Sequence, residues 1–252
     1  MNPLISIITV CFNSAKTIHQ TIKSVLNQTY TNIEYILVDG KSTDNTVAII
    51  EEYAPQFAAK GIAYRWISEP DNGIYDAMNK GIKLATGEWI GIINSDDWYE
   101  LDACEKVCSE LELDKGIDII YGIIKIFTHG RLRNIELIAH TELPQRPINH
   151  PGTFYKKALH DLCGYYSTSL KIASDDLFLL SCFYNKVHFH RVESIMTNFS
   201  MGGASDNMRY RGAIEASKSR YRMNYITLPE CFMQVSKLTI HSLISKLKKI
   251  LK

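Results

Sequence analysis

Long hydrophobic runs are missing from this chain. None of its 252 residues falls in a stretch approaching the roughly 18 consecutive apolar side chains of a membrane-spanning helix. The opening MNPLISIITVCFN has no basic n-region and too short an apolar run for a secretory leader, so a cytoplasmic setting is expected. Cysteine is sparse. The six residues include no C-x-x-C pair and no Cys/His grouping at zinc-finger spacing, which argues for plain buried thiols in a reducing compartment. An excess of one charge is lacking too: 28 Lys+Arg face 27 Asp+Glu, less than a dedicated nucleic-acid binder would show. The turn after the first apolar run, CFNSAKT, contains no glycine, so neither the dinucleotide fingerprint G-x-G-x-x-G nor the phosphate loop G-x-x-x-x-G-K-[ST] is present. A metal-dependent nucleotidyltransferase, which wants a glycine-rich loop there, is disfavoured on the same ground.

What is present begins with enough apolar material, 46% of residues, for a sizeable core. Apolar strand-length runs at Leu4–Val10, Ile33–Val38, Ile62–Ile67, Trp89–Ile93 and Ile117–Ile126 alternate with stripes at helical spacing. Those stripes are Ile18/Ile22/Val25/Leu26, Val47/Ile50/Ala54/Phe57, Ile74/Met78/Ile82/Ala85 and Leu101/Cys104/Cys108/Leu111. Strands alternating with helices predict an α/β fold, a mostly parallel sheet covered by helices on both faces. Beyond residue 127 the pattern loosens into short mixed segments around Pro144, Pro147 and Pro151, consistent with a wall built onto the first half. The last 46 residues carry ten basic and two acidic side chains, whereas the first 206 carry 18 and 25. They end in SKLTIHSLISKLKKILK, where Ile240, Leu243, Ile244, Leu247, Ile250 and Leu251 gather on one side of a helix with lysines around them. That is the composition of an interfacial helix on an anionic membrane surface, or of one packing on protein.

Ligands of open parallel sheets bind beyond the carboxyl ends of the strands. The segments there are CFN at 11–13, DGKSTD at 39–44, EPDNG at 69–73 and NSDD at 94–97. One aspartate in a turn is usually a cap; several acids at one edge ask for more. Asp96 and Asp97 would suit a hard divalent cation that shares its remaining positions with phosphates and water.

These segments resemble the inverting, GT-A type glycosyltransferases of family 2. SIITVCFN at 6–13, ILVDGKSTDNT at 36–46 and SEPDNGIYDAMNKGIKLATGEWIGIINSDD at 68–97 resemble the nucleotide-sugar half of that family. HPGTFYKKAL at 150–159, KIASDDLFLL at 171–180 and FSMGGAS at 199–205 resemble its acceptor half. The resemblance divides the chain into a Rossmann-like GT-A domain over 1–206, with a nucleotide-sugar half 1–98 and an acceptor half 99–206, and a basic helical extension over 207–252.

The resemblance implies transfer of a sugar from a nucleotide diphosphate donor, uridine diphosphate most often, to a hydroxyl acceptor such as a glycan or lipid-linked glycan. It places Asp39 at the base, with Phe12, Asn13 and Asp71 beside it. The family's Asp-x-Asp metal motif falls on Asn94-Ser95-Asp96, so that Asn94 faces the ribose and Asp96 holds Mg²⁺ or Mn²⁺, with Asp97 as an additional acid. The base that takes the acceptor's proton falls on Asp175, in a pair with Asp176 that otherwise reads as a helix start; Asp176 is expected to face solvent or its own first turn. His150 touches the acceptor or caps a turn, and His188 and His190 share one face of a strand-like run. A glycan-binding module without turnover would lack an acid at 96 or 175, and both are present. The family commonly builds bacterial surface polysaccharides, which implies a location at the inner face of the cell membrane.

Overall fold

The computed structural model describes residues 2–148, 150–203 and 208–250, with all of their side chains except those of 209 and 241–250. The first half follows the alternation of its apolar runs: β1 (Ile5–Cys11), α1 (Ile18–Leu26), β2 (Ile33–Asp39), α2 (Thr46–Ala59), β3 (Ala63–Ser68), α3 (Ile74–Leu84) and β4 (Trp89–Asn94). Then come β5 (Trp98–Tyr99), α4 (Ala103–Leu113), a hairpin of β6 (Ile119–Thr128) and β7 (Arg131–Glu136), β8 (Thr153–Lys156), α5 (Leu159–Cys163), α6 (Ser174–Tyr184) and β9 (Phe189–Ser200). Two helices follow, α7 (Arg209–Arg222) and α8 (Leu228–Ile250).

The strands form one curled sheet in the order β3-β2-β1-β4-β8-β6-β9-β5, with β7 on the edge of β6. β3, β2, β1 and β4 are parallel, and β6 runs parallel to β9. Between these blocks β8 is antiparallel to both neighbours, β4 and β6. β1 shows why parallel strands read as unbroken apolar runs. Ile5 and Ile7 pack with α1, α2 and α4 on one face, whereas Ile8 and Val10 pack with α3 and α6 on the other. Trp89 is fully buried in the first of these cores, Trp66 packs against its rim, and Trp98 lies against Phe127 with ring centroids 5.0 Å apart.

Three features of the second half were hidden in the sequence. Position 98/99 lies within β5, which pairs with β9 through Trp98–Asn198 and Tyr99–Thr197, so the nucleotide-sugar and acceptor halves share one sheet. The loose stretch after residue 127 contains β7 and β8, and the strand-like run around His188 and His190 extends into the twelve-residue β9. The basic extension is docked on the body as well: Glu215 of α7 accepts the backbone N–H groups of Lys171 (3.0 and 2.9 Å) and Ile172 (2.9 Å) just before α6. The expected boundary at 206/207 lies outside the described residues. So do the side chains expected on the apolar side of the tail beyond residue 240. Among the described residues no helix is long and apolar enough to cross a membrane.

Candidate active site

The parallel register brings Val10, Val38 and Asn94 side by side, so β1, β2 and β4 end at one edge. The loops that leave β1 and β2 there are interlocked by side chains. Asn13, in the left-handed region at φ 51°, accepts the Thr43 N–H (2.8 Å) on its Oδ1 and donates its own N–H to Ser42 Oγ (2.7 Å). The Ser14 N–H donates to Thr46 Oγ1 (2.8 Å), and the Ala15 N–H to Asp44 Oδ2 (3.1 Å). Asx and Ser/Thr geometries of this kind satisfy backbone donors that no strand can reach.

Beyond this edge lies a cavity of about 550 Å³. Phe12, 61% exposed, stands at one end with Asn13 and Asp71. Asn94, Ser95 and Asp96 form the floor, while Phe199, Ser200 and Gly203 enter from the end of β9. Asp71 accepts the Gly73 N–H (2.8 Å) on Oδ1, and its other oxygen lies where a Cβ on Gly40 would collide with it. Phe12, Asn13, Asp71, Asn94 and Asp96 are thus brought together as the sequence led us to expect.

Two acids are not. Asp39 is fully buried beneath the loops and does not line the cavity. Its carboxylate accepts the Ser42 N–H (2.9 Å), the Ser42 hydroxyl and the Ser68 hydroxyl (2.6 Å). Expected at the base, it is instead hydrogen-bonded beneath the loops that wall the cavity. Asp97 is likewise fully buried, accepting the Ser200 N–H (2.8 Å) and the Asn94 side-chain N–H (3.2 Å). Burial, and then the charge of Asp96, push its carboxyl well above the ordinary range. Expected as a second metal acid, it joins the end of β9 to the cavity floor.

Asp96 is half-buried in the cavity, and desolvation raises its pKa, a penalty on the charged form that a bound cation would relieve. Beside it, Asn94 Oδ1 is buried without a hydrogen-bond partner. A Cβ on Gly203 would come within 2.6 Å of Asp96 Oδ2, so the space over that carboxylate stays open only because residue 203 is glycine. The Asp96 carboxylate suits a hard divalent cation. No cluster of three His, Cys, Asp or Glu capable of holding one exists among the described residues, so phosphate and water oxygens would complete its shell.

On the acceptor side the Tyr75 hydroxyl donates to Asp175 Oδ1 (2.7 Å). Burial and then the Asp175 charge push the phenol upward, so Tyr75 stays protonated as the donor. Asp176 departs from expectation. It is 7% exposed, and both its oxygens accept from Arg220 Nη2 (2.9 and 2.7 Å). Burial pushes its carboxyl up to about 6, with Arg220 opposing the rise.

His150 is buried, so it caps no exposed turn, and it heads a hydrogen-bond chain that the sequence did not suggest. The Gly164 carbonyl can only accept, so His160 Nδ1 (3.1 Å) carries its proton. Burial lowers His160 to about 4, and the neutral ring's Nε2 accepts from Tyr155 (3.1 Å). Tyr155 in turn accepts from Tyr166 (3.0 Å), and Tyr166 from His150 Nε2–H (2.9 Å). His190 pairs with Glu110 (2.9 Å), a surface contact far in sequence from these loops.

The sequence pattern of "Glycosyl transferase family 2" matches residues 6–178. A "PGL/p-HBAD biosynthesis glycosyltransferase" of Mycobacterium bovis is 31% identical over 215 residues, covering 82% of this chain and 80% of that protein. The "Chondroitin synthase" of Escherichia coli is 36% identical over 119 residues, covering 47% of this chain and 17% of that protein. Among solved structures, S. aureus TarS 1-349 in complex with UDP-GlcNAc superposes with a TM-score of 0.69 at 18% identity, covering 93% of this chain and 71% of that one. The mannosyltransferase PcManGT from Pyrobaculum calidifontis, in complex with GDP-Man and Mn²⁺, gives 0.69 at 16% identity, covering 95% and 69%.

Proposed function

Since this chain belongs to glycosyl transferase family 2, with the GT-A fold, we propose that it transfers a sugar, with inversion, from a uridine diphosphate donor to a hydroxyl of a glycan or lipid-linked acceptor. One observation carries this most: an exposed aromatic, Phe12, and the Asp96 carboxylate line one cavity at the carboxyl edge of the sheet. The cavity volume of about 550 Å³ lies in the range of pockets that enclose a nucleotide-sized ligand. Phe12 offers a stacking face for the base, Asn13 and Asp71 border it, and Asn94 lies on the ribose side. Asp39 and Asp97 act from beneath by holding the two walls. Asp96 would hold Mg²⁺ or Mn²⁺, which, when bound, supplies Lewis-acid stabilisation of the departing diphosphate. Asp175 takes the acceptor's proton as its oxygen attacks the anomeric carbon on the face opposite the leaving group. Such general-base help is worth roughly 10²–10⁴ in rate. Tyr75 positions that carboxylate.

Residues 1–206 would form the catalytic domain. The helix α8 would lie on the anionic inner face of the cell membrane, where surface glycans or their lipid-linked precursors are assembled. Phe232, Met233 and Ile240, 73%, 64% and 58% exposed on that helix, are side chains such a surface would cover.

The test is a panel of nucleotide sugars incubated with the full chain and Mn²⁺, scored for released nucleoside diphosphate and for the anomeric configuration of the product. Retention of configuration would refute inversion. Tight nucleotide binding with no turnover of any donor would mark a binding module rather than an enzyme.

A further inference from the structure

α3 meets the acceptor side at two points one helical turn apart. Tyr75 donates its hydroxyl to Asp175 Oδ1 (2.7 Å). Asn79, four residues on and therefore on the same face, uses its whole amide on a single residue. Its Nδ2 donates to the Tyr166 carbonyl (2.8 Å), and its Oδ1 accepts the Tyr166 N–H (3.1 Å). Residues 164–173, between α5 and α6, lie outside helix and strand, so side chains have to meet their buried backbone groups. The next residue repeats the pattern towards α6: the Ser167 N–H donates to Ser174 Oγ (2.6 Å), and Ser174 is the chain neighbour of Asp175. These contacts close into a ring that runs Tyr75, Asp175, Ser174, Ser167, Tyr166, Asn79 and back along α3.

Tyr166 is the member of that ring held at most points. Its backbone is clamped by Asn79, its ring lies against that of Tyr75 with centroids 5.7 Å apart, and its hydroxyl bonds to His150 (2.9 Å) and Tyr155 (3.0 Å). Asn79 and Tyr166 are 8% and 3% exposed, and neither lines the nucleotide cavity. α3 itself does line it, through Ile74 and Ala77. One helix thus carries a wall of that cavity and, on Tyr75, the hydroxyl that holds the base. We infer that Asn79 and Tyr166 are positioning residues for the transfer: they fix the Tyr75 hydroxyl, and through it the Asp175 carboxylate, relative to the cavity-lining residues of α3. A base acts only within hydrogen-bond reach of the proton it takes, and a displacement of about 1 Å can cost about 10² in rate. The inference rests on the glycosyltransferase function proposed above and deepens it by two residues that touch neither substrate.

The experiment follows UDP released by the full chain with Mn²⁺ from UDP-glucose, UDP-galactose and UDP-N-acetylglucosamine, with methyl β-D-glucoside or water as acceptor. UDP titration and urea unfolding accompany it. Asn79→Ala should lower kcat at least about tenfold while the donor KM and the UDP affinity stay within about twofold. Tyr166→Phe keeps the ring against Tyr75 and loses only the hydroxyl bonds, so a fall of about threefold is expected. It keeps the test decisive should Asn79→Ala fail to fold. In Tyr75→Phe, which has no hydroxyl left to place, adding either substitution should leave kcat nearly unchanged. A kcat preserved in the folded variants, or a loss of equal size with and without the Tyr75 hydroxyl, overturns the inference and leaves the two residues a role in stability only. UDP affinity falling in step with kcat overturns it too, because the distortion would then lie in the nucleotide cavity. No turnover of any of the three donors by the native chain counts against the glycosyltransferase function and takes the inference with it. Native turnover untouched by the variants counts against the clamp alone.

Discussion

Asp175 and Asp176 are adjacent in the chain but turned to different partners: Asp175 accepts from the Tyr75 hydroxyl of α3, whereas Asp176 is held 2.7 Å from the Arg220 guanidinium of α7. Neighbours on a helix point about 100° apart, so one acid faces α3 and the other the docked α7. Asp175→Asn should therefore lower the transfer rate by at least about 10² while leaving nucleotide affinity nearly intact. Asp176→Asn should spare more of the rate and instead destabilise the fold by about 3 kcal/mol, since it leaves the buried Arg220 charge without its counterion. Steady-state kinetics and urea unfolding on both variants check this; the reverse order of rates would move the base to Asp176.

Uridine diphosphate should bind far better with Mg²⁺ or Mn²⁺ than with EDTA, and Asp96→Ala should abolish the difference. Gly203→Ala is the subtler probe. Its Cβ would come within 2.6 Å of Asp96 Oδ2, so the metal-dependent part of the affinity should fall by about tenfold with little change in stability. Titration calorimetry reads both, and equal affinity of the native chain with and without EDTA would refute the metal assignment.

His160 predicts an acid-labile fold. Burial lowers its pKa from 6.5 to about 4, so the unfolded chain takes up the proton more readily than the folded one. Its contribution to stability is complete above about pH 6.5 and is lost as pH falls towards 4, amounting to about 3 kcal/mol. Urea unfolding at pH 7.5 and at pH 4 should show that loss in the native chain and a smaller one in His160→Gln.

Flotation with anionic vesicles tests the tail. Deleting residues 236–252 should abolish binding, and Phe232→Glu with Met233→Glu should weaken it several-fold, because each puts a charge on an exposed apolar face. Binding unchanged by the deletion would mean that the helix is not the anchor.

The sequence made the first four strands and their helices legible because β1, β2 and β4 are buried on both sides, the edge strand β3 still keeps Tyr64, Trp66 and Ile67 half-covered, and each helix keeps an apolar stripe. The segments that follow the strand ends supplied Phe12, Asn13, Asp71, Asn94 and Asp96, which line one cavity. It could not show that Asp39, Asp97 and Asp176 are buried. A carboxylate's burial depends on donors that folding brings from elsewhere: Ser68 for Asp39, Ser200 for Asp97 and Arg220 for Asp176. No periodicity encodes such partners. Arg220 was the harder case, because it lies in a segment whose charge suggested a separate appendage. β8 went unseen because four residues are too few to show an alternation, and β5 because two are fewer still.

The interlocked loops after β1 and β2 also decide where an entropy cost falls. Ordering backbone costs roughly 1–2 kcal/mol per residue. Asn13, Ser14 and Ala15 are already fixed by Ser42, Thr43, Thr46 and Asp44, so that cost belongs to folding. A nucleotide bound there as proposed would meet a wall that is already ordered, with no backbone-ordering cost in that stretch for its contacts to offset.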